Sequence, residues 1–352
     1  MGVSLDVGGA RDLHVGPLHR FLEAQGDPRS LAHVQWRLRP DAADPSILGL
    51  AFGSDEERPV CLGSFALLRS RGTVSGGEIE LGQAVDAYVS NEHQGHGIFT
   101  ELASQVNEVA AREQIDALWG ILNDNSLPIF QTRLGFHNLG PVPFLIRPLS
   151  LRSTPLSKLS ASRRWRVPLI GFPKLHAKEK LSIVNLDSFS QDQTQIWRSA
   201  VTRYGLVGVN RDSTFLNYRF IENPSVEYSQ LAIYSDDECL GFVVWSALDK
   251  HNRKIGYILE MLHLPDRSDI GRMLLRRALH EMQSLNCELA LAWNSSHSWN
   301  RTAYRRELFV PLPDLFRPIH LHFTVRSLNQ DLSSSLYNPR KWYLSYADSD
   351  SI

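Results

Sequence analysis

Residues 83–102 read Gln83-Ala84-Val85-Asp86-Ala87-Tyr88-Val89, then Ser90-Asn91-Glu92-His93-Gln94-Gly95-His96-Gly97, then Ile98-Phe99-Thr100-Glu101-Leu102. The first part alternates apolar and polar residues, which is the period of a strand. The middle is a polar run with two glycines two apart. The last part opens a helix that carries Ile98, Leu102, Val106, Val109 and Ala110 at helical spacing to about Glu113. Strand, glycine loop and helix start form a common phosphate-binding arrangement, because glycines let backbone N–H groups approach a ligand and the helix aims its positive end there. A tight structural turn would leave the same Gly-x-Gly. No Gly-Lys-Ser/Thr follows, so this is not a P-loop. The third glycine and the distal acidic residue of a dinucleotide fingerprint are missing too.

Working outward, Ile47–Phe52 and Cys61–Leu68 read as strands before a Ser75-Gly76-Gly77 turn, and residues 11–30 as a first helix. After the loop come a buried strand, Ala117–Leu122, and a helix opened by Asn123-Asp124-Asn125-Ser126. That helix ends at Leu134-Gly135-Phe136, and a strand follows over Val142–Leu149.

The second half echoes the first. Arg219 lies 182 residues after Arg37, Gly241 of Cys-Leu-Gly lies 178 after Gly63 of Cys-Leu-Gly, and Arg326 lies 179 after Arg147. Three landmarks at nearly one offset predict a duplicated domain. The echo fails at the glycine loop, where Leu264-Pro265-Asp266-Arg267-Ser268-Asp269-Ile270-Gly271 keeps one glycine and adds aspartates. The expected boundaries are an N-terminal domain over 1–151, a linker over 152–180, a C-terminal domain over 181–330 and a tail over 331–352. The linker holds eight Lys/Arg against Glu179. It reads as a solvated connection, or as a patch for an anionic acceptor.

The 352 residues are 43% hydrophobic and 21% charged, with a net charge of −1, which is ordinary for a soluble protein of two domains. This balance gives no pull towards nucleic acid or an anionic membrane, and no run suits a membrane span. No signal peptide is visible at the N-terminus. Cys61, Cys239 and Cys287 have no CxxC spacing, and His320 and His322 lack a third ligand in sequence, so neither disulfides nor a metal site are expected. Free thiols fit a cytoplasmic protein.

Gln94, Gly95 and Gly97, followed by Asn125 and Leu134-Gly135-Phe136, resemble motifs of the GCN5-related N-acetyltransferase (GNAT) family. The family loop reads Arg/Gln-Gly-x-Gly-x-Gly/Ala, and Phe99 stands where Gly or Ala is usual. The resemblance is specific over about residues 84–150. Over the second half it rests on the repeat and is similar to the family's tandem members. It implies two tandem GNAT-like α/β domains, each a mixed, mainly antiparallel twisted sheet flanked by helices. It also implies an acyl-CoA co-substrate and transfer of an acetyl or other short acyl group to a small-molecule amine acceptor, such as an amino sugar. The CoA diphosphate would lie on Gly95, His96, Gly97, Ile98, Phe99 and Thr100, with the pantetheine arm along Val89. Asp86 and Glu80 occupy the stretch where the family often keeps a base, and His93 lies near. The family's general acid is often a Tyr four residues before the Gly of Leu-Gly-Phe. That position is Gln131 here, which leaves Tyr88 as a stand-in. The alternatives are a non-catalytic acyl-CoA-binding module and altered chemistry such as acyl-CoA decarboxylation. Acyl length, acceptor and oligomeric state are not set by the sequence.

Overall fold

The computed structural model describes residues 2–53, 60–150, 180–250, 252–295, 297–313, 315, 317 and 319–349. The basic segment expected as a linker lies outside the described residues except for Lys180. In chain order the elements are β1 (Val3–Gly9), α1 (Asp12–Ala24), α2 (Leu31–Leu38), β2 (Ile47–Gly53), β3 (Val60–Val74), β4 (Gly77–Val89), α3 (Ile98–Arg112), β5 (Ala117–Asn123), α4 (Leu127–Leu134), β6 (His137–Pro141), β7 (Phe144–Pro148) and β8 (Leu181–Asn185). Next come α5 (Gln191–Tyr204), β9 (Val207–Val209), α6 (Ser213–Phe220), β10 (Ser229–Ser235), β11 (Glu238–Lys250), β12 (Arg253–His263), α7 (Ser268–Ser284), β13 (Leu289–Trp293), α8 (Arg301–Arg306), β14 (Val310–Pro311), β15 (Leu321–Ser327) and the short α9 (Ser333–Leu336). The described residues include no helix long and apolar enough to cross a membrane.

The chain forms two compact units. The first comprises Met1–Pro141, Asn223–Ser225 and Ile319–Pro339; the second comprises Val142–Glu222, Val226–Pro318 and Arg340–Ile352. In the first unit the strands run β1-β2-β3-β4-β5-β15-β6. In the second they run β8-β10-β11-β12-β13-β7-β14. Along these two orders the pairs are antiparallel except for the parallel pairs β4–β5 and β12–β13, as expected for a mixed, mainly antiparallel sheet. The two strand orders correspond place by place, but the sixth strand is drawn from the other half of the sequence. Phe144–Pro148 sits in the second sheet and Leu321–Ser327 in the first. The expected boundary at residue 151 therefore falls after a strand that belongs to the second sheet.

Alternation along β2 and β3 sends side chains to opposite faces. Ile47, Phe65 and Leu67 pack with Leu102, Ala103 and Val106 of α3 on one face. Leu48, Leu50 and Ala66 pack with Val15, Leu18 and Leu22 of α1 and Val34 and Leu38 of α2 on the other. A Cβ on Gly49 would lie 2.7 Å from Val106 and 2.8 Å from Leu102, so this glycine lets α3 settle onto β2. Ser75 and Gly76, both at positive φ, make the two-residue turn that joins β3 to β4. In the second unit α7 covers the sheet through Ile270, Leu274, Leu275 and Ala278.

The three cysteines are free. Burial pushes the Cys61 thiol up to about 12 and Cys287 to about 11, and raises Cys239 as well. At pH 8 Cys61 keeps on the order of one thiolate in ten thousand molecules. Native protein at that pH should therefore resist iodoacetamide, with all three thiols reacting once denaturant is added. Rapid labelling of the native protein would contradict this burial.

Candidate functional site

The site begins where β4 and β5 separate. The two strands pair in parallel from Leu81↔Ala117 to Ala84↔Gly120 and no further. Beyond that point β4 carries a bulge: Tyr88 faces Ser64 and Val85 faces Ala66, so Asp86 and Ala87 together oppose Phe65. Asp86 takes the left-handed conformation, φ +51°, which aspartate tolerates better than most residues. The Ser64 hydroxyl donates to the Asp86 carbonyl at 2.8 Å and helps hold the bulge.

After Val89 the chain makes one 3-10 turn, Asn91–His93. The Gln94 side-chain amide then donates to the Val89 carbonyl and to Asn91 Oδ1, both at 3.1 Å, folding the loop back onto the strand end. Gly95 and Gly97 both have positive φ, +81° and +80°. Gly97 is the N-cap of α3, and no side chain caps the first turn. Those first-turn amides have no partner within the helix. A Cβ on either glycine would meet nothing within 4 Å, so the loop faces open space.

That space is a cleft of about 1050 Å³. It is lined by the end of β4, the loop, the start of α3, and residues of α4 across the gap. Tyr88, Val89, Gln94, Gly95, Gly97, Ile98, Phe99, Thr100 and Asn125, all expected at the site, are brought together here. His96, Glu80 and Asp86 are not among the lining residues. Glu80 lies six residues before Asp86 on β4, with its N–H bound by the Asp116 carboxylate at 2.9 Å. Phe99, the departure from the family pattern, packs edge-on to Phe65 at 5.6 Å and near Phe130 at 5.8 Å. Its ring thus joins the core beneath the loop.

The sequence alone did not point to several of the cleft's groups. Asn123, rather than Asn125, organises the start of α4: its Oδ1 accepts from the N–H groups of Asn125 and Ser126 and from the Ser126 hydroxyl. Arg133 is the one Lys or Arg among the lining residues, and Glu101 the one carboxylate. Gln131 is exposed and outside the lining, so α4 offers the cleft no tyrosine.

Asp86 is buried, with 4% of its side chain exposed, and held by two guanidinium groups. Arg29 Nη1 donates to its Oδ1 at 2.8 Å and Arg37 Nη1 at 3.3 Å. Arg29 also grips Asp27 through Nε and Nη2, at 3.2 and 2.7 Å. The Tyr88 hydroxyl donates to that same Asp27 at 3.1 Å. Burial first, and then the Asp27 charge, push Tyr88 up to about 12. Asp86 and Tyr88 are thus joined in one network by Asp27 and Arg29, which the sequence had not singled out.

The second unit repeats this arrangement. Ser30 N-caps α2 and Asp212 N-caps α6. The residue before each cap, Arg29 or Arg211, reaches the carboxylate of the central strand, Asp86 or Glu260. Arg29 and Arg211 share the 182-residue offset of Arg37 and Arg219, so this signal was available in the sequence. The glycine loop is not repeated. Before α7, Arg267 and Asp269 pair at 3.1 Å, placing an acidic side chain of the protein's own in the first turn of the helix.

If Asp86 anchors the bulge, Asp86→Asn removes the buried negative charge that Arg29 and Arg37 share. Removing one partner of a buried pair costs about 3 kcal/mol or more. We expect a fall of that size in urea-melt stability. Unchanged stability with lost turnover would instead mark Asp86 as a base.

No protein-family model and no curated protein matches the sequence. Solved structures similar to the chain include three bacterial proteins. One is a conserved protein of unknown function from Enterococcus faecalis V583, called a probable N-acyltransferase (10% identity, TM-score 0.65, 94% of this chain and 74% of that one). Another is a GCN5-related N-acetyltransferase from Anabaena variabilis ATCC 29413 (11% identity, TM-score 0.62, 93% and 73%). A third is a GCN5-related N-acetyltransferase from Kribbella flavida (12% identity, TM-score 0.59, 95% and 74%). At such identities the likeness is one of fold. The chain has the fold of the GCN5-related N-acetyltransferases.

Proposed function

We propose that the protein is an acyl-CoA-dependent N-acyltransferase whose cofactor site lies in the first unit. The observation that carries this reading is the uncapped start of α3, opened by Gly95 and Gly97 onto a 1050 Å³ cleft beside a splayed, bulged strand. The amides from Gly95 to Thr100 suit a diphosphate. Arg133 supplies a positive charge on the far wall. The free side of β4 at Ala87–Val89 suits an extended arm that pairs as an added strand. Gln94 must share or release the Val89 carbonyl for that pairing. The CoA thioester supplies an activated acyl group and a good leaving thiolate.

In this reading Asp86 sets the bulge and is not the base. The acceptor amine loses its proton to water in the cleft, since an amine with a pKa near 8 is largely neutral in mild alkali. The Tyr88 hydroxyl stays committed to Asp27, so the thiolate, a good leaving group, departs without a protein acid and takes its proton from water. The acceptor is a small-molecule amine, with amino sugars first in the screen.

The test is to mix acetyl-CoA, and longer acyl-CoAs, with a panel of amines and to measure free thiol alongside CoA binding. Turnover whose pH dependence follows the acceptor's own pKa supports the proposal. Loss of both turnover and binding overturns it. A second reading, an acyl-CoA binder without chemistry, is favoured by the arginine-held Asp86 and by Gln131 outside the cleft. Tight CoA binding with no acyl transfer to any amine would select it.

A further inference from the structure

We infer that the second unit contains a phosphate-type anion site where Arg147, Arg272 and Arg276 converge on one carboxylate, Glu307. Arg147 comes from β7. Arg272 and Arg276 stand one turn apart on α7, and Glu307 follows α8 directly. Arg276 Nε donates to Glu307 Oε1 at 2.8 Å and Arg272 Nε to the same oxygen at 3.0 Å. Arg147 Nη1 donates to the Glu307 carbonyl and lies 3.6 Å from its Oε2. Exposure of these side chains is 1% for Arg147, 5% for Arg276, 19% for Arg272 and 1% for Glu307.

Among the described residues, three guanidinium groups face one carboxylate, which leaves two positive charges unmatched, with only Arg272 partly exposed. The donors are not used up either. Arg147 Nε and Nη2 and Arg276 Nη2 are buried without a hydrogen-bond partner. Arginine does not escape such a setting by losing its proton. Burial, and the neighbouring Arg276 charge, do pull Arg147 below the ordinary arginine range against the opposing pull of Glu307. Water can satisfy an N–H group but cannot balance the charge. A tetrahedral oxyanion does both, and forked guanidinium groups match its geometry.

The Arg211 cluster in the same unit shows the contrast. There one arginine meets two carboxylates and a serine hydroxyl, donating to Glu260 at 2.8 Å, Asp348 at 2.6 Å and Ser345 at 3.3 Å. That cluster carries no unmatched positive charge, whereas the Arg147 cluster carries two. The depth of Arg147 favours free inorganic phosphate over the phosphate of a larger molecule, and Arg272 is the group nearest solvent.

The experiment follows the melting temperature of the whole protein as phosphate replaces gluconate at fixed ionic strength. To keep the glycine-loop cleft out of the measurement, the Gly97→Trp protein is titrated alongside the wild type. We expect a saturable rise in both. Arg272→Gln should raise the phosphate concentration at half-effect tenfold or more. Arg147→Met should lose the response, yet melt at or above the wild-type temperature without phosphate, because it sheds an unmatched charge. Glycerol phosphate should act more weakly than phosphate; an equal effect would assign the site to the phosphate group of a larger ligand. No response in Gly97→Trp protein, or an undiminished one in Arg272→Gln, overturns the inference. The Arg272→Gln titration decides the matter if Arg147→Met does not fold.

Discussion

Gly97→Trp leaves the chain folded and removes its affinity for CoA. Gly97 sits at φ +80° as the N-cap of α3, and a Cβ there meets no protein atom within 4 Å. The new side chain therefore enters the cleft rather than the core, and fills the place where the first-turn amides would receive a diphosphate. The cost to folding is the left-handed conformation of a non-glycine residue, about 1–2 kcal/mol. The cost to binding is larger: at least about a hundredfold, or about 2.8 kcal/mol. Gly97→Ala separates the two effects. It pays the same backbone cost but adds one methyl, so it should melt like the tryptophan variant and bind CoA within a few-fold of wild type. Calorimetric titration with CoA and a thermal melt on both variants decide the point. Unchanged CoA affinity in Gly97→Trp would move the cofactor site elsewhere.

Arg211→Met should be the most destabilising single change in the second unit. Arg211 is wholly buried, and so is Glu260; Asp348 is nearly so. The Tyr343 hydroxyl also donates to Glu260, and the rings of Phe215 and Tyr343 lie 5.2 and 5.3 Å from the guanidinium carbon. Without the arginine, Glu260 and Asp348 lose the guanidinium that both of them accept from. Breaking a buried pair in this way costs about 3–5 kcal/mol, a fall of roughly 6–20 °C in melting temperature for a unit of this size. The loss should depend on pH in a set direction. Burial raises Asp348 above the ordinary carboxylate range even with Arg211 present. A group raised on folding contributes stability that is full below its unfolded pKa and is lost as pH rises through its folded value. Removing the compensating arginine enlarges that effect, so the gap between variant and wild type should widen from pH 4 to pH 8. A gap that narrows with rising pH would show that the carboxylates are not what Arg211 holds.

The features legible in the sequence are those that neighbours along the chain decide. The glycine loop, the helix at Ile98, the stop at Gly135 and the hairpin at Ser75-Gly76 each depend on residues within one turn of themselves. The helix expected over 11–30 is shorter: α1 ends at Ala24, and a second helix begins at Leu31 after Ser30 caps it. Strand β1 lies outside the expected elements, although Val3, Leu5 and Val7 alternate with Ser4 and Asp6, because its period stops at two glycines. Phe99 broke the family pattern on paper. In the fold its ring lies against Phe65, 34 residues earlier, and Phe130, 31 residues later, and spacing alone does not reveal such a contact.

By itself, then, the sequence determined the glycine-loop geometry, the duplicated order of strands and helices, and the absence of the loop from the second half. Local hydrogen bonding and side-chain period are enough for these. Only the tertiary structure decided which sheet Phe144–Pro148 and Leu321–Ser327 would join. Their sequences, Phe-Leu-Ile-Arg and Phe-Thr-Val-Arg, are so alike that strand period does not tell them apart, and the likeness that exposed the repeat concealed the exchange. Tertiary structure likewise decided that Asp86 would be spent on Arg29 and Arg37, 57 and 49 residues away, and that Arg147 would meet Glu307 across 160 residues. A charge's partner is fixed by what folding brings within a few ångströms of it.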